Sequence, residues 1–208
     1  MNSAGRIAVL ASGRGSNFEA LCTSDLGGAS VVLLASDNPS SGALLKARRM
    51  GVESIRFDPG PGRSRVAPEA EKSLADLLVS RSIDLVCLAG FMRILGGTLL
   101  ESFTGRILNI HPSLLPAFPG LHAQAQAVAH GVKVSGCTVH YVDTGTDTGP
   151  IVLQAAVPVL GSDTADSLAE RILQEEHRIL PEAVRLHFGG RIRIDGRIVK
   201  SRIPDSPA

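Results

Sequence analysis

The feature that most constrains this chain is a regular alternation of short apolar runs with longer segments of helical period. The runs are "RIAVLAS" 6–12, "SVVLLAS" 30–36, "VESIRF" 52–57, "IDLVCLAG" 83–90, "GRILNIH" 105–111, "CTVHYV" 137–142 and "PIVLQAAVPV" 150–159. All have the length and β-branched content of strands. "VVLLA" and "LVCLA" are apolar without alternation, as expected of strands covered on both faces in a mostly parallel sheet. Between them 16–24, 42–50, 68–81 and 122–130 read as helices, with Pro68 suited to a first turn and Gly51 and Gly131 to C-caps. A last long helix should start near Asp163 or Thr164 and run to about 188, interrupted at Pro181. The pattern predicts an α/β protein with helices flanking a mostly parallel sheet. "DPGPGRSR" at 58–65 reads as a mobile surface loop, and 189–208 as a peripheral C-terminal hairpin with a frayed tail.

Composition narrows the function. The chain has 208 residues, 44% of them hydrophobic, enough to bury a real core as one domain or at most two small ones. With 21 Lys and Arg against 20 Asp and Glu, the formal charge is +1, so no basic field invites nucleic acid. Aromatics are 3% with no Trp, which leaves few platforms for stacking bases. A small ligand is the better expectation. Cys22, Cys87 and Cys137 are odd in number and far apart, arguing for reduced core residues rather than a disulfide framework or a zinc site. The run "IAVLA" is too short for a signal segment and no window approaches a membrane span, so a cytoplasmic protein is expected.

In such folds ligands gather at the carboxyl ends of the strands. The loop "ASGRGSN" at 11–17 could turn sharply at Gly13 and Gly15 and aim the N–H groups of Gly15, Ser16 and Asn17 at an anion. It lacks the Lys-Ser/Thr ending of a P-loop, and Phe18 stands where G-x-G-x-x-G needs glycine. A structural turn and a phosphate seat both remain open, and Asp37 lies where a ribose-binding acid would. In "GFMRIL" at 90–95, Phe91, Met92, Ile94 and Leu95 either cap the core or support something flat and apolar. Asn109 and His111 are i and i+2 near a strand's end, so they share a face just before Pro112 stops the ladder. That pairing raises a catalytic reading beside the structural one, whereas His140 and His177 have no such companion and read as structural. No His pair has metal-ligand spacing, and no metal is expected. Asp143 and Asp147 in "VDTGTDTGP" could each make an Asx turn. Finally, Glu176 falls on the apolar stripe Ala165, Leu168, Ile172, Ile179, Ala183, where a carboxylate must be paired or face a pocket.

Taken together, "SGRGSN", "LAGFMRIL", "LNIHPSLLPAFPGLHA", "GCTVHYVDTGTDTGPI" and "QEEH" resemble, in order and spacing, the folate-dependent glycinamide ribonucleotide formyltransferases of purine biosynthesis. The likeness extends to about residue 188. It implies a formyltransferase domain over 1–188, a three-layer α/β/α fold with a seven-stranded, mostly parallel sheet, a Rossmann-like N-terminal half and one late antiparallel strand. By the same resemblance Asn109, His111 and Asp147 form the catalytic set. Gly15, Ser16 and Asn17 hold the ribonucleotide phosphate, and Glu176 with Gln174 meets the ribose. The folate slot is lined by Met92, Arg93, Ile94 and Leu95, by Asn109, and by Asp143, Thr144, Gly145, Thr146 and Asp147. Arg65 is the candidate for an arginine the family places against the folate. The co-substrate would be 10-formyltetrahydrofolate and the partner glycinamide ribonucleotide, with no nucleic acid or membrane. Some relatives form dimers, so a homodimer stays open.

The chemistry fits those residue types. Attack of an amine on a formyl carbon makes an oxyanion to which Asn109 and His111 could donate. His111 could then protonate the departing nitrogen, and an adjacent Asp147 would favour the imidazolium. No covalent intermediate is required. A formyltetrahydrofolate hydrolase would share the Asn-x-His and the later Asp, but normally carries an N-terminal regulatory domain. A methionyl-tRNA formyltransferase would need a basic C-terminal domain. A silent nucleotide- or folate-binding module is the alternative of another class.

Overall fold

The computed structural model describes residues 4–62 and 64–201. Its strands are β1 (Arg6–Leu10), β2 (Ser30–Ser36), β3 (Glu53–Arg56), β4 (Leu85–Leu88), β5 (Ile107–His111), β6 (Val134–Tyr141), β7 (Ile151–Pro158), β8 (Ile192–Asp195) and β9 (Ile198–Ser201). The helices are α1 (Ser16–Thr23), α2 (Gly42–Arg49), α3 (Pro68–Ser80), α4 (Gly97–Ser102), α5 (Ala123–Ala129) and α6 (Ala165–Phe188). One sheet holds all nine strands in the order β3-β2-β1-β4-β5-β6-β7-β9-β8. β1 to β5 are mutually parallel, and β6 is antiparallel to both neighbours. Alternation along β1 shows why the central strands are apolar throughout. Ile7 and Val9 enter the core beneath α1, α2 and α6, while Ala8 and Leu10 enter the core beneath α3 and α4.

Sheet size departs from expectation. Residues 192–201 add two strands, because β9 pairs parallel with β7 and β8 folds back on β9. The expected frayed tail, 202–208, lies outside the described residues. α6 also runs unbroken through Pro181, which is buried with Ile179, Leu180, Ala183 and Val184. Packing along that stripe outweighs the backbone bond the ring removes. α4 has no sequence period to betray it in six residues. Its start is satisfied from outside, by buried Glu71 Oε1 accepting from the Leu99 N–H at 2.7 Å. Gly51 and Gly131 end α2 and α5 with φ of 69° and 66°, and the following N–H groups bond back to Ala47 and Ala127.

Order reverses between β1 and β4, so the loops after these two strands part and leave a crevice at their carboxyl ends. The 58–65 loop is tied to that rim rather than loose. Ile94 N–H donates to Ser64 O at 2.8 Å and Val66 N–H to Ile94 O at 3.2 Å, while Arg63 lies outside the described residues. All three cysteines are free thiols. Burial pushes those of Cys87 and Cys137 up to about 12, so neither supplies a nucleophile near neutral pH.

Candidate active site

β5 presents Asn109 and His111 to one face, as their spacing requires. Antiparallel pairing with β6 then sets His140 directly opposite Asn109. The loop after β6 folds back over this pair because Gly149 has no side chain: a Cβ there would stand 1.8 Å from Tyr141 O. Asp147, in the left-handed region at φ 55°, carries its carboxylate into the corner, where the side chain is 13% exposed. Oδ2 accepts from the Gly120 N–H at 2.8 Å and faces His111 Nδ1 at 3.3 Å. Oδ1 accepts from Asn109 Nδ2 at 3.3 Å. Asp143 is exposed and stays in its own loop, its Oδ1 accepting from Gly145 N–H and the Thr148 hydroxyl as in an Asx turn. Of the two acids, the structure brings Asp147 to the histidines.

His140 is corrected from a bystander to a member of this corner. Its Nδ1 donates to Tyr141 O at 2.8 Å, leaving Nε2 to accept from Asn109 Nδ2 at 3.1 Å. Its 3.6 Å separation from Asp147 Oδ1 is too long for a hydrogen bond. Sequence reading missed it because its companion lies across the sheet, and only the pairing register reveals the contact. His111 is held on its other side by Phe118 O, 2.9 Å from Nε2. Both contacts are hydrogen bonds at once only when both ring nitrogens carry hydrogen. The turn presenting Phe118, with φ 52°, is braced by Ser113, whose hydroxyl donates to Ala117 O. Buried Thr138 braces it too, accepting from Leu115 N–H and donating to Ser113 O. Burial pushes the Asp147 carboxyl up, but the Gly120 N–H bond and the neighbouring His111 favour its charge, and it is held below the usual range.

A second corner forms around the loop after β1. Gly15, at φ 73°, caps α1, and a Cβ there would collide with Ala43 at 2.6 Å. The loop is held by α2, whose Ser41 hydroxyl and Ala43 N–H both donate to Gly13 O. α1's first internal bond runs from Glu19 N–H to Gly15 O, so the N–H groups of Ser16 and Asn17 precede it without helical partners. Buried Asn17 donates from Nδ2 to Glu176 Oε2 at 2.7 Å, while its Oδ1 is buried with no partner among the described residues. Burial raises the Glu176 carboxyl, and the Asn17 bond only partly offsets this. Gln174 is not brought here. It is exposed, and two positions along a helix points to a different face.

The third edge is the loop after β4. Met92 is 58% exposed, Ile94 is half-buried and Leu95 is buried in the core. Arg65 is exposed, and its backbone bridges to Ile94. Thr144, Gly145 and Thr146 are exposed on the loop opposite. Arg93 directs its guanidinium at Asp37 rather than outward, with Nε 2.5 Å from Oδ2. Asp37, where sequence position suggested a ribose-binding acid, is thus paired with Arg93.

No helix among the described residues is long and apolar enough to cross a membrane. The formyl transferase family profile matches residues 5–184. Phosphoribosylglycinamide formyltransferase of Bacillus subtilis is 42% identical over 187 residues, spanning 88% of this chain and 95% of that protein. The trifunctional purine biosynthetic protein adenosine-3 of Drosophila melanogaster is 45% identical over 190 residues, of which this chain spans only 14% of the length. The crystal structure of glycinamide ribonucleotide transformylase 1 from Symbiobacterium toebii superposes with a TM-score of 0.91 at 51% identity, covering 97% of this chain and 95% of that one. A formyltetrahydrofolate deformylase from Pseudomonas syringae shares the fold, with a TM-score of 0.85 at 24% identity over 66% of its length. Motif order, fold and site agree, and the chain belongs to the formyl transferase family.

Proposed function

We propose that this protein transfers the formyl group of 10-formyltetrahydrofolate to the amine of glycinamide ribonucleotide, a step of purine biosynthesis. The observation that carries this reading is the convergence of Asn109 Nδ2 and His111 Nδ1 on one carboxylate, each at 3.3 Å. Such contacts lie beyond the usual N–H···O range and are the easiest to exchange. A formyl oxygen that gains negative charge competes for the same two donors, and long contacts in a free enzyme commonly tighten in the transition state.

In the reaction the substrate amine adds to the formyl carbon, and the oxyanion is held by Asn109 and His111. Forming the new carbon–nitrogen bond frees a proton from the attacking amine, and the nitrogen that loses the formyl group takes one as its own bond breaks; His111 gives that proton and regains the amine's, directly or through water. Asp147 keeps its charge at neutral pH and orients both donors. The N–H groups of Gly15, Ser16 and Asn17 seat the ribonucleotide phosphate, and Glu176 accepts from the ribose hydroxyls. The folate lies along Met92–Leu95 and Arg65, opposite the 143–147 loop. Supporting this seat, the exposed Met92 side chain offers apolar surface beside the crevice.

The test supplies 10-formyltetrahydrofolate with and without glycinamide ribonucleotide and follows folate deformylation. Turnover that depends on the acceptor is expected. Turnover without it identifies a hydrolase, and no turnover in either case identifies a binding module.

A further inference from the structure

Asp37 directly follows β2, the strand next to β1, and both of its oxygens are used. Oδ1 accepts from the Ser12 hydroxyl at 2.6 Å, and Oδ2 from Arg93 Nε at 2.5 Å. The Ser12 oxygen in turn accepts from the Met92 N–H at 3.0 Å. Arg93 continues the chain by donating from Nη1 to Gly62 O. The Asp37 and Arg93 side chains are only 6% and 18% exposed, so this is a mostly dry ion pair rather than a surface one. One carboxylate thus fastens the loop after β4 at two successive residues and, through the guanidinium, fastens Gly62 against it.

We propose that Asp37 is a positioning residue for the co-substrate seat, holding the Met92–Leu95 segment and the Arg65 segment at the separation the folate needs. This rests on the reading of that edge as the folate slot. The residue touches no substrate and acts through Arg93 and Ser12. It sits one strand away from the sheet's reversal point, where β2, β1 and β4 end side by side, so a single group can reach all three loops.

Two measurements test it, on Asp37→Ala and on Asp37→Asn, which keeps an acceptor for Ser12 but loses the charge facing Arg93. In steady-state kinetics the alanine variant should raise the KM for 10-formyltetrahydrofolate about tenfold while kcat and the KM for the ribonucleotide stay within about twofold, and the asparagine variant should fall between. In the free proteins, hydrogen exchange should quicken at 62–66 and 92–95 but not at 15–19. Unchanged exchange at both segments overturns the anchor, even if the alanine variant folds poorly, because the asparagine variant is read separately. Quickened exchange with an unmoved folate KM overturns the link to the co-substrate. A parent protein that never turns over the folate would instead sink the formyl-transfer reading, and with it the identity of the seat, while the exchange result decides the anchor on its own.

Discussion

The corner made by β5, β6 and the 143–149 loop differs in kind from the corner made by the 13–17 loop, α1 and α6. In the first, the polar groups satisfy one another: Asn109 donates to His140 and Asp147, and His111 lies between Asp147 and Phe118 O. In the second, Asn17 Oδ1 is buried with no partner among the described residues, and Glu176 is a carboxylate that burial makes reluctant to ionise. A corner satisfied in advance holds its geometry without a ligand and rewards only a group that competes better than Asp147 does. A corner left unsatisfied gains as soon as a polar ligand arrives. The first is suited to a transition state and the second to ground-state binding.

That contrast predicts its largest effect at the satisfied corner. Asn109→Ala and His111→Ala should each lower kcat by about a hundredfold to a thousandfold, the usual consequence of losing one oxyanion donor worth about 2.7–4 kcal/mol. A variant with near-parental kcat would mark its residue as structural. Next in size, Asp147→Asn should lower kcat by roughly tenfold or more, because the amide cannot accept from Asn109, His111 and Gly120 together. Asp143→Asn should change it little, since Asp143 serves only its own turn. Comparable losses from both would erase the distinction between the two acids.

The choice between those acids shows where the sequence stops being legible. Period and apolar runs reveal the strands and most helices, since each is a local signal. The spacing of Asn109 and His111 reveals their shared face for the same reason. Whether Asp143 or Asp147 meets a histidine depends on how a glycine-rich loop folds back, which no period encodes. His140 and the Asp37 pair were hidden because their partners arrive across the sheet or from distant loops, and Phe118 O because it reaches His111 only through the way the turn after β5 folds back. Glu176 was visible as a carboxylate on an apolar stripe, but its partner, Asn17, lies 159 residues away. The last two strands were hidden as members of the sheet because β9 joins it at one register pair, Ile151 with Ile198.

The smallest effect belongs to the unsatisfied corner and carries a sign that depends on pH. Burial raises the Glu176 carboxyl in the folded chain, so at neutral pH its ionisation works against folding. Glu176→Gln should therefore raise Tm at pH 7 while weakening the ribonucleotide's KM several-fold. The gain in Tm should fade as pH falls below the unfolded value of about 4.3, where the parent's carboxyl is protonated in both states. A variant less stable than the parent at pH 7 would mean that the Asn17 bond outweighs burial.

The division of labour between the corners is tested most directly by equilibrium binding of glycinamide ribonucleotide to Asn109→Ala beside the parent protein, by calorimetry without folate. The account predicts a Kd within about threefold of the parent's although kcat has collapsed, because the lost donor serves an oxyanion that exists only during transfer. A Kd that weakens in proportion to the loss of kcat would show that Asn109 holds the ground-state substrate, and the contrast between the two corners would fall.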